Sequence, residues 1–205
     1  MKIFCLYGNY AGHNKTEQNA LKKDGAPVVF CKPDTALTKS GKPFFAPDDL
    51  GRIDYGVELA VRINRLGKSI PVRFAHRYWD AVTVGIGFRA VELQGRLRKK
   101  GLPWEMSTCF DGSAVIGEWI PKDKLPEANR LSFHLDVNGT TVQTGLAAEM
   151  TTSIDEAISY ISRWMTVRTG DILFTGCPES RRDVNIEDLM EGFIGEKKVM
   201  ECKCK

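Results

Sequence analysis

The chain contains 205 residues, of which 42% are hydrophobic and 27% are charged. A domain of this length buries roughly 70% of the surface that its unfolded chain exposes. The formal net charge is only +3, and charges of both signs are mixed along the chain, a pattern that disfavours a nucleic-acid-binding protein. The N-terminus turns polar too early for a signal peptide, and no apolar run approaches the roughly 20 residues of a membrane span. We therefore expect a single cytoplasmic domain, residues 1–205, with neither nucleic acid nor membrane as a partner.

The six cysteines follow no spacing that is typical of a disulfide framework. Cys202 and Cys204 alternate with lysines near the C-terminus. A soft-metal site and a strand with one buried face both fit this pattern. We favour the strand, because a zinc site needs further Cys or His ligands at suitable spacing.

The clearest predicted element is a strand from Ile53 to Ile63, after a Gly- and Pro-containing loop at residues 39–49. Apolar residues occupy the odd positions of this strand, whereas Asp54, Gly56 and Glu58 lie at even positions. Successive side chains of a strand point to opposite faces. The odd positions therefore predict a core-facing side, and the even positions predict a face that is free for chemistry.

Two helices are predicted. The first spans residues 88–100, where apolar residues recur on one stripe and basic residues followed by Gly101 favour a C-terminal end. The second begins after Ser153, which has the spacing of a capping box with Glu156, and extends to about Met165.

Further strands follow from turn signals and apolar runs. Asn138-Gly139 favours a hairpin, and its strands are residues 131–137 and Thr140–Leu146. Two more strands are predicted at residues 171–175 and from Lys197 onward. Many strands with few helices indicate a β-rich α+β domain.

Several segments together resemble the fumarylacetoacetate hydrolase family, in that family's order and over nearly the whole chain. They read GNYAGHNKTE, FCKPDTAL, VELAVRI, GIGFRAVELQ with KKGLPW, FDGSAVIGEWIP, DVNGTTVQ, ISYISRWMTVRTGDILFTGCP and the final strand. The resemblance implies a mixed β-roll or β-sandwich with a few helices, usually in a homodimer. It points to the small single-domain members that hydrolyse acylpyruvates or decarboxylate oxaloacetate.

By the same resemblance, the expected chemistry is cleavage of a C–C bond beside a carbonyl, with magnesium or manganese. A 2-oxo acid chelates a hard cation through its oxygens, and the cation stabilises the enolate that leaves. Carboxylates are suitable ligands for such cations. The resemblance implies that Glu58 binds the metal and that His13 with Glu17 activates water. It also implies substrate contacts from Gln94 and Thr175.

The chain departs from the family at positions that carry this chemistry. Gly56 replaces the first glutamate of a Glu-x-Glu pair, Gly87 replaces an aspartate, and Thr108 replaces a lysine. Asp54 does not compensate, because its Cα atom is roughly 13 Å from that of Glu58 along an extended strand. We therefore expect weak or absent binding of magnesium or manganese. Glutamate at position 56 with aspartate at position 87 is expected to restore metal affinity.

Three arginines replace small or polar family residues near the inferred mouth of the pocket: Arg89, Arg181 and Arg182. A surface position is the first interpretation. The alternative is direct binding of an anion, because guanidinium groups match carboxylates and phosphates; Arg89 is then a substrate-binding residue.

Two functions therefore remain open. One is an impaired metal-dependent hydrolase or decarboxylase of small 2-oxo or 1,3-dicarbonyl acids. The other is a catalytically inactive family member that acts as a small-anion binding or regulatory protein.

Overall fold

The computed structural model describes residues 1–10, 25–125 and 130–205. Its strands are β1 (Ile3–Tyr7), β2 (Val28–Lys32), β3 (Leu37–Lys39), β4 (Ile53–Ile63), β5 (Trp79–Ala90), β6 (Ala114–Ile116), β7 (Ile120–Pro121), β8 (Ser132–Val137), β9 (Thr140–Leu146), β10 (Ile172–Phe174), β11 (Arg182–Asp183), β12 (Leu189–Ile194) and β13 (Lys197–Lys203). Its α-helices are α1 (Val72–Ala75), α2 (Val91–Lys99) and α3 (Ile154–Trp164). The excess of strands over helices confirms the β-rich α+β prediction.

The strands form two sheets. The larger has the order β2-β1-β10-β4-β5-β6-β3, with β11 paired to β4 and β7 paired to β5, and the smaller has the order β13-β12-β8-β9. Apolar side chains from both sheets, such as Val84 of β5 and Met200 of β13, belong to one buried cluster, because each sheet must cover an apolar face. Among the described residues, no helix is long and apolar enough to cross a membrane.

The long antiparallel pair β4 and β5 forms the centre of the larger sheet. Strand β4 has the predicted bounds, Ile53–Ile63. The even-numbered side chains Asp54 and Glu58 are only 5% and 6% exposed. On this face Asp54 pairs with Arg89, Gly56 with Gly87, and Glu58 with Gly85 of β5. The register therefore brings together Gly56 and Gly87, the two positions at which the sequence lacks a family carboxylate.

The predicted helix at residues 88–100 is wrong at its start. Residues 88–90 belong to β5, and the helix spans Val91–Lys99. The Phe88 backbone N–H donates to the Ser113 carbonyl at 2.8 Å, and its ring stacks on Phe44 with centroids 3.7 Å apart. These tertiary contacts hold the residues in the strand.

The other element predictions are confirmed within a residue or two. Helix α3 spans Ile154–Trp164 and begins with both hydrogen bonds of the capping box between Ser153 and Glu156. The hairpin of β8 and β9 turns through Asn138 and Gly139, both at positive φ. Cys202 and Cys204 are fully buried near the C-terminus, as expected for a strand with one buried face.

Candidate functional site

A cavity of about 580 Å³ lies over the even-numbered face of β4. The last residue of β2, Lys32, contributes to its wall, as do Asp54 and Glu58 from β4, Arg89 from the end of β5, and Arg181 from the segment before β11. Aromatic rings of Phe30 and Trp104, in edge-to-face contact with centroids 5.3 Å apart, form part of the same wall. The cavity thus combines charged groups with an aromatic side.

The space beside Gly56 and Gly87 is occupied by other side chains. A β-carbon added to Gly56 would lie 2.6 Å from Cys177 Sγ and 2.9 Å from Arg181 Nη1. A β-carbon added to Gly87 would lie 2.8 Å from Glu58 Oε1 and 3.9 Å from Arg181 Nη2. The Arg181 guanidinium therefore reaches the place where the two missing carboxylate side chains would begin.

Arg181 is anchored by oxygens of both central strands. Its Nε donates to Asp54 Oδ1 at 2.8 Å, and its Nη2 donates to the Gly87 carbonyl. Its side chain is only 15% exposed, so the surface position that the sequence suggested is wrong for this arginine. Burial by itself lowers the pKa of Arg181, but Asp54, followed by Cys177 and Glu58, raises it above its usual value. The group is a fixed cation.

Arg89 shares the Asp54 carboxylate with Arg181. Its Nε lies 3.1 Å from Asp54 Oδ1 and 3.2 Å from Oδ2, and its Nη2 also donates to Oδ2. The remaining Nη1 donates to Gln94 Oε1 at 3.1 Å. The predicted substrate-contact residues Arg89 and Gln94 therefore lie together in the cavity wall. By contrast, Arg182 is exposed and lies outside the residues that line this cavity.

Glu58 is a buried carboxylate at the base of the cavity. Its Oε2 accepts a hydrogen bond from the Gly176 N–H at 2.8 Å. Burial raises the pKa of Glu58, and this effect is opposed by Arg181, the Gly176 N–H and Lys32. The protonated form is therefore easier to reach than in a solvated glutamate.

Lys32 is a buried basic residue that was not predicted as a site residue from the sequence, although it lies in the segment FCKPDTAL. Its Nζ donates to the Ser113 carbonyl at 3.1 Å, to Ser113 Oγ at 3.2 Å and to the Thr108 carbonyl. Burial lowers the pKa of Lys32. Its partners are neutral oxygens, and no carboxylate of the described residues lies within ion-pair distance of it. It adds a basic side chain to the wall that Arg89 and Arg181 also line.

The remaining predicted site residues lie apart from this cluster or outside the described residues. Thr175 is fully buried; its hydroxyl donates to the Leu59 carbonyl at 2.9 Å and it is not in the cavity wall. Its substrate contact stays a prediction. His13 and Glu17, the predicted water-activating pair, lie outside the described residues.

The described residues do not fit a hard divalent cation. Mg²⁺ takes six oxygen ligands in near-octahedral geometry, usually one or two carboxylates together with several waters. Among residues 1–10, 25–125 and 130–205, no group of three His, Cys, Asp or Glu side chains is arranged to hold a metal. Asp54 and Glu58 lie on one face, but the Arg181 guanidinium contacts the glycine pair between them. A positive side chain thus lies next to the only glutamate that the family comparison assigned to the metal.

Comparison with known proteins agrees with the sequence segments. The chain matches the family described as fumarylacetoacetate (FAA) hydrolase C-terminal over residues 2–205. It is 33% identical over 192 residues to oxaloacetate tautomerase FAHD1, mitochondrial, of Rattus norvegicus, covering 94% of this chain and 86% of that protein. The protein of the same name from Arabidopsis thaliana is 34% identical over 199 residues, covering 97% and 88%.

A solved structure supports the same relationship. The fumarylpyruvate hydrolase of Pseudomonas aeruginosa, in complex with Mn²⁺ and pyruvate, superposes with a TM-score of 0.89 at 30% identity, covering 100% of this chain and 89% of that one. The chain belongs to the fumarylacetoacetate hydrolase family and has its β-rich α+β fold.

Proposed function

We propose that this chain binds a small carboxylate anion, of the 2-oxo acid class, in the cavity over β4, and that it does so without magnesium or manganese. The observation that carries the proposal is the Arg181 guanidinium, which is buried between Asp54 and the Gly87 carbonyl. Arg89 and Lys32 add two more cations to the same wall. With Arg52 there are four basic side chains in the described lining, against three acidic ones, Asp54, Glu58 and Asp183.

The chemistry of the wall suits such a ligand. Nε and Nη2 of Arg181 are engaged by Asp54 and Gly87, so Nη1 is the group that would donate to a carboxylate oxygen, and charged hydrogen bonds are stronger than neutral ones. The volume of about 580 Å³ is within the roughly 300–1,000 Å³ of small-molecule pockets. The proposed ligand class is supported by relatives that are named for oxaloacetate and fumarylpyruvate, one of which was solved with pyruvate.

A second candidate function is the metal-dependent cleavage or decarboxylation of small 2-oxo or 1,3-dicarbonyl acids, at reduced activity. It is favoured by the family membership and by the retained Glu58. In that candidate, Glu58 contacts the metal, His13 with Glu17 handles water, and Gln94 with Thr175 contacts the substrate. Gly56 and Gly87 would then account for weak metal binding. We rank it second because the described residues fit a divalent cation poorly.

Isothermal titration calorimetry separates the two. Pyruvate and oxalate are titrated into the protein in excess EDTA and again with Mg²⁺ or Mn²⁺, with neutral pyruvamide as the control. We expect both anions to bind in EDTA and pyruvamide not to bind. Binding that requires the metal, together with turnover of oxaloacetate or an acylpyruvate, would favour the second candidate. The absence of anion binding under every condition would refute the first.

We further propose that residues 1–205 form one domain, that the protein is a homodimer, and that it acts in the cytoplasm. Family membership supports the dimer, and a chain rich in strands has sheet edges that an assembly can cover.

A further inference from the structure

We infer that the guanidinium of Arg181 is a built-in cation that takes the place of the divalent metal in this site and binds the oxygens of the ligand directly. This inference rests on the proposed function and assigns its central contact. Four features of the described residues support it: the space that Arg181 fills, the oxygens that surround it, one unused donor group, and the way its backbone is fixed.

The first feature is space. Gly56 and Gly87 are paired across β4 and β5, and the guanidinium lies over this pair. Its Nη1 is 2.9 Å from a β-carbon built on Gly56, and its Nη2 is 3.9 Å from one built on Gly87. Any larger residue at position 56 would press on Arg181 and Cys177. The two glycines therefore make room for the arginine.

The second feature is the set of oxygens around the cation. Asp54 Oδ1 and the Gly87 carbonyl accept from Nε and Nη2, and Glu58 adds an electrostatic attraction. Carboxylate and carbonyl oxygens are also what a hard cation would require. Here they are engaged by a side chain of the protein, so a free Mg²⁺ or Mn²⁺ would have to displace that side chain first.

The third feature is one unused donor group. Among the described residues, Nη1 makes no hydrogen bond. No buried side-chain nitrogen or oxygen of the described residues lacks a partner, so Nη1 is not fully buried, and Arg181 lines the cavity over β4. Its N–H groups are available to a carboxylate or carbonyl oxygen that enters the cavity.

The backbone near Arg181 is held in place before any ligand arrives. Arg182 pairs with Tyr55 of β4 in a short antiparallel bridge. Gln143 of β9 donates to the Ser180 carbonyl at 2.8 Å and accepts from the Val57 N–H at 2.9 Å. A donor that is already positioned loses little entropy when it binds, which suits a residue that must replace a coordinated ion.

The test is oxalate binding to the full chain in excess EDTA, measured by calorimetry on wild type, Arg181→Met, Arg181→Lys and Arg182→Met. Losing a charged hydrogen bond is expected to weaken binding roughly 10- to 100-fold in Arg181→Met. Arg181→Lys keeps the charge but not the planar fork, and is expected to fall between wild type and Arg181→Met. The exposed neighbour variant Arg182→Met should bind as wild type does.

Thermal melting curves show which variants are folded. The binding of oxalate to wild type is interpreted without reference to the variants. If wild type binds oxalate and Arg181→Met binds it equally well, the inference is overturned while the proposed function stands. If Mn²⁺ raises the oxalate affinity of wild type by more than roughly tenfold, the metal has kept its place and the inference is also overturned. If wild type does not bind oxalate at all, the proposed function itself fails.

Discussion

Asp54 Oδ1 accepts hydrogen bonds from two arginines at once, from Arg181 Nε at 2.8 Å and from Arg89 Nε at 3.1 Å. The three residues come from β4, the end of β5 and the segment before β11. One carboxylate therefore sets the position of both guanidiniums in the cavity wall. Its removal leaves two largely buried cations without their common partner.

Asp54→Asn is accordingly expected to destabilise the fold by roughly 3–5 kcal/mol, the usual effect of breaking a buried ion pair by removal of one partner. The matched control is Asp183→Asn, whose partner is Arg52. Both side chains of that pair are 53% exposed, so the control should cost below about 1 kcal/mol. Urea unfolding curves measure both values. Equal effects of the two substitutions would contradict the central position given to Asp54.

Carboxylates introduced at positions 56 and 87 should not be sufficient to create a metal site. Neither Gly56 nor Gly87 has a positive φ, so backbone strain is not the obstacle. The obstacle is Cys177 Sγ, 2.6 Å from a β-carbon at position 56, together with Arg181. This modifies the expectation from sequence that glutamate at 56 and aspartate at 87 are sufficient.

We expect Gly56→Glu/Gly87→Asp to remain without a Mn²⁺ site, and the same double variant with Cys177→Ala and Arg181→Ser to gain one. Electron paramagnetic resonance of bound Mn²⁺ measures the difference. Cys177→Ala/Arg181→Ser without the two carboxylates is the control. A tight site in the simple double variant would show that Arg181 moves aside readily.

A pH prediction follows from the capping box of α3. Hydrogen bonds from the Ser153 backbone and side chain lower the pKa of Glu156 from its usual value of 4.5. Because the folded-state pKa lies below the unfolded one, the ionised form stabilises the fold above pH 4.5, and this stabilisation is lost as the pH falls through the folded-state pKa.

The difference in unfolding free energy between wild type and Glu156→Gln should therefore be largest at neutral pH and should disappear in acid. Ser153→Ala removes the side chain that caps the helix, and it should lower the free energy of unfolding by roughly 1 kcal/mol. Chemical denaturation across the acidic range checks both. A difference that grows toward low pH would have the wrong sign for this account.

The homodimer proposal has a direct check. The chain mass is 22.9 kDa, and light scattering coupled to gel filtration should give twice that mass at micromolar concentration. A mass equal to one chain would contradict the proposal.

Periodic features of the sequence predicted much of the fold. The alternation in β4 was sufficient for its bounds, and Ser153 with Glu156 marked the start of α3. The prediction was wrong for the first residues of the helix at 88–100, because they belong to strand β5. Phe88 pairs there with Tyr55 of β4. Local pattern carries no information about that pairing.

The site was harder to predict. The sequence located the two glycines and Glu58, but not what fills the space beside the glycines. Arg181 is 127 residues from Asp54 along the chain, and no spacing rule links them. The signal that was present is the replacement of small or polar family residues by Arg181 and Arg182, taken together with the loss of two carboxylates. Loss of negative charge and gain of positive charge in one pocket are best interpreted as a single change.

The most direct test of the central claim is a crystal structure of the protein grown with both oxalate and Mn²⁺, with data collected at the manganese absorption edge. We predict oxalate oxygens within hydrogen-bonding distance of Arg181 Nη1, Arg181 still bound to Asp54, and no anomalous peak beside Glu58. An anomalous peak at Glu58, with oxalate bound to the metal and Arg181 displaced from Asp54, would contradict the account.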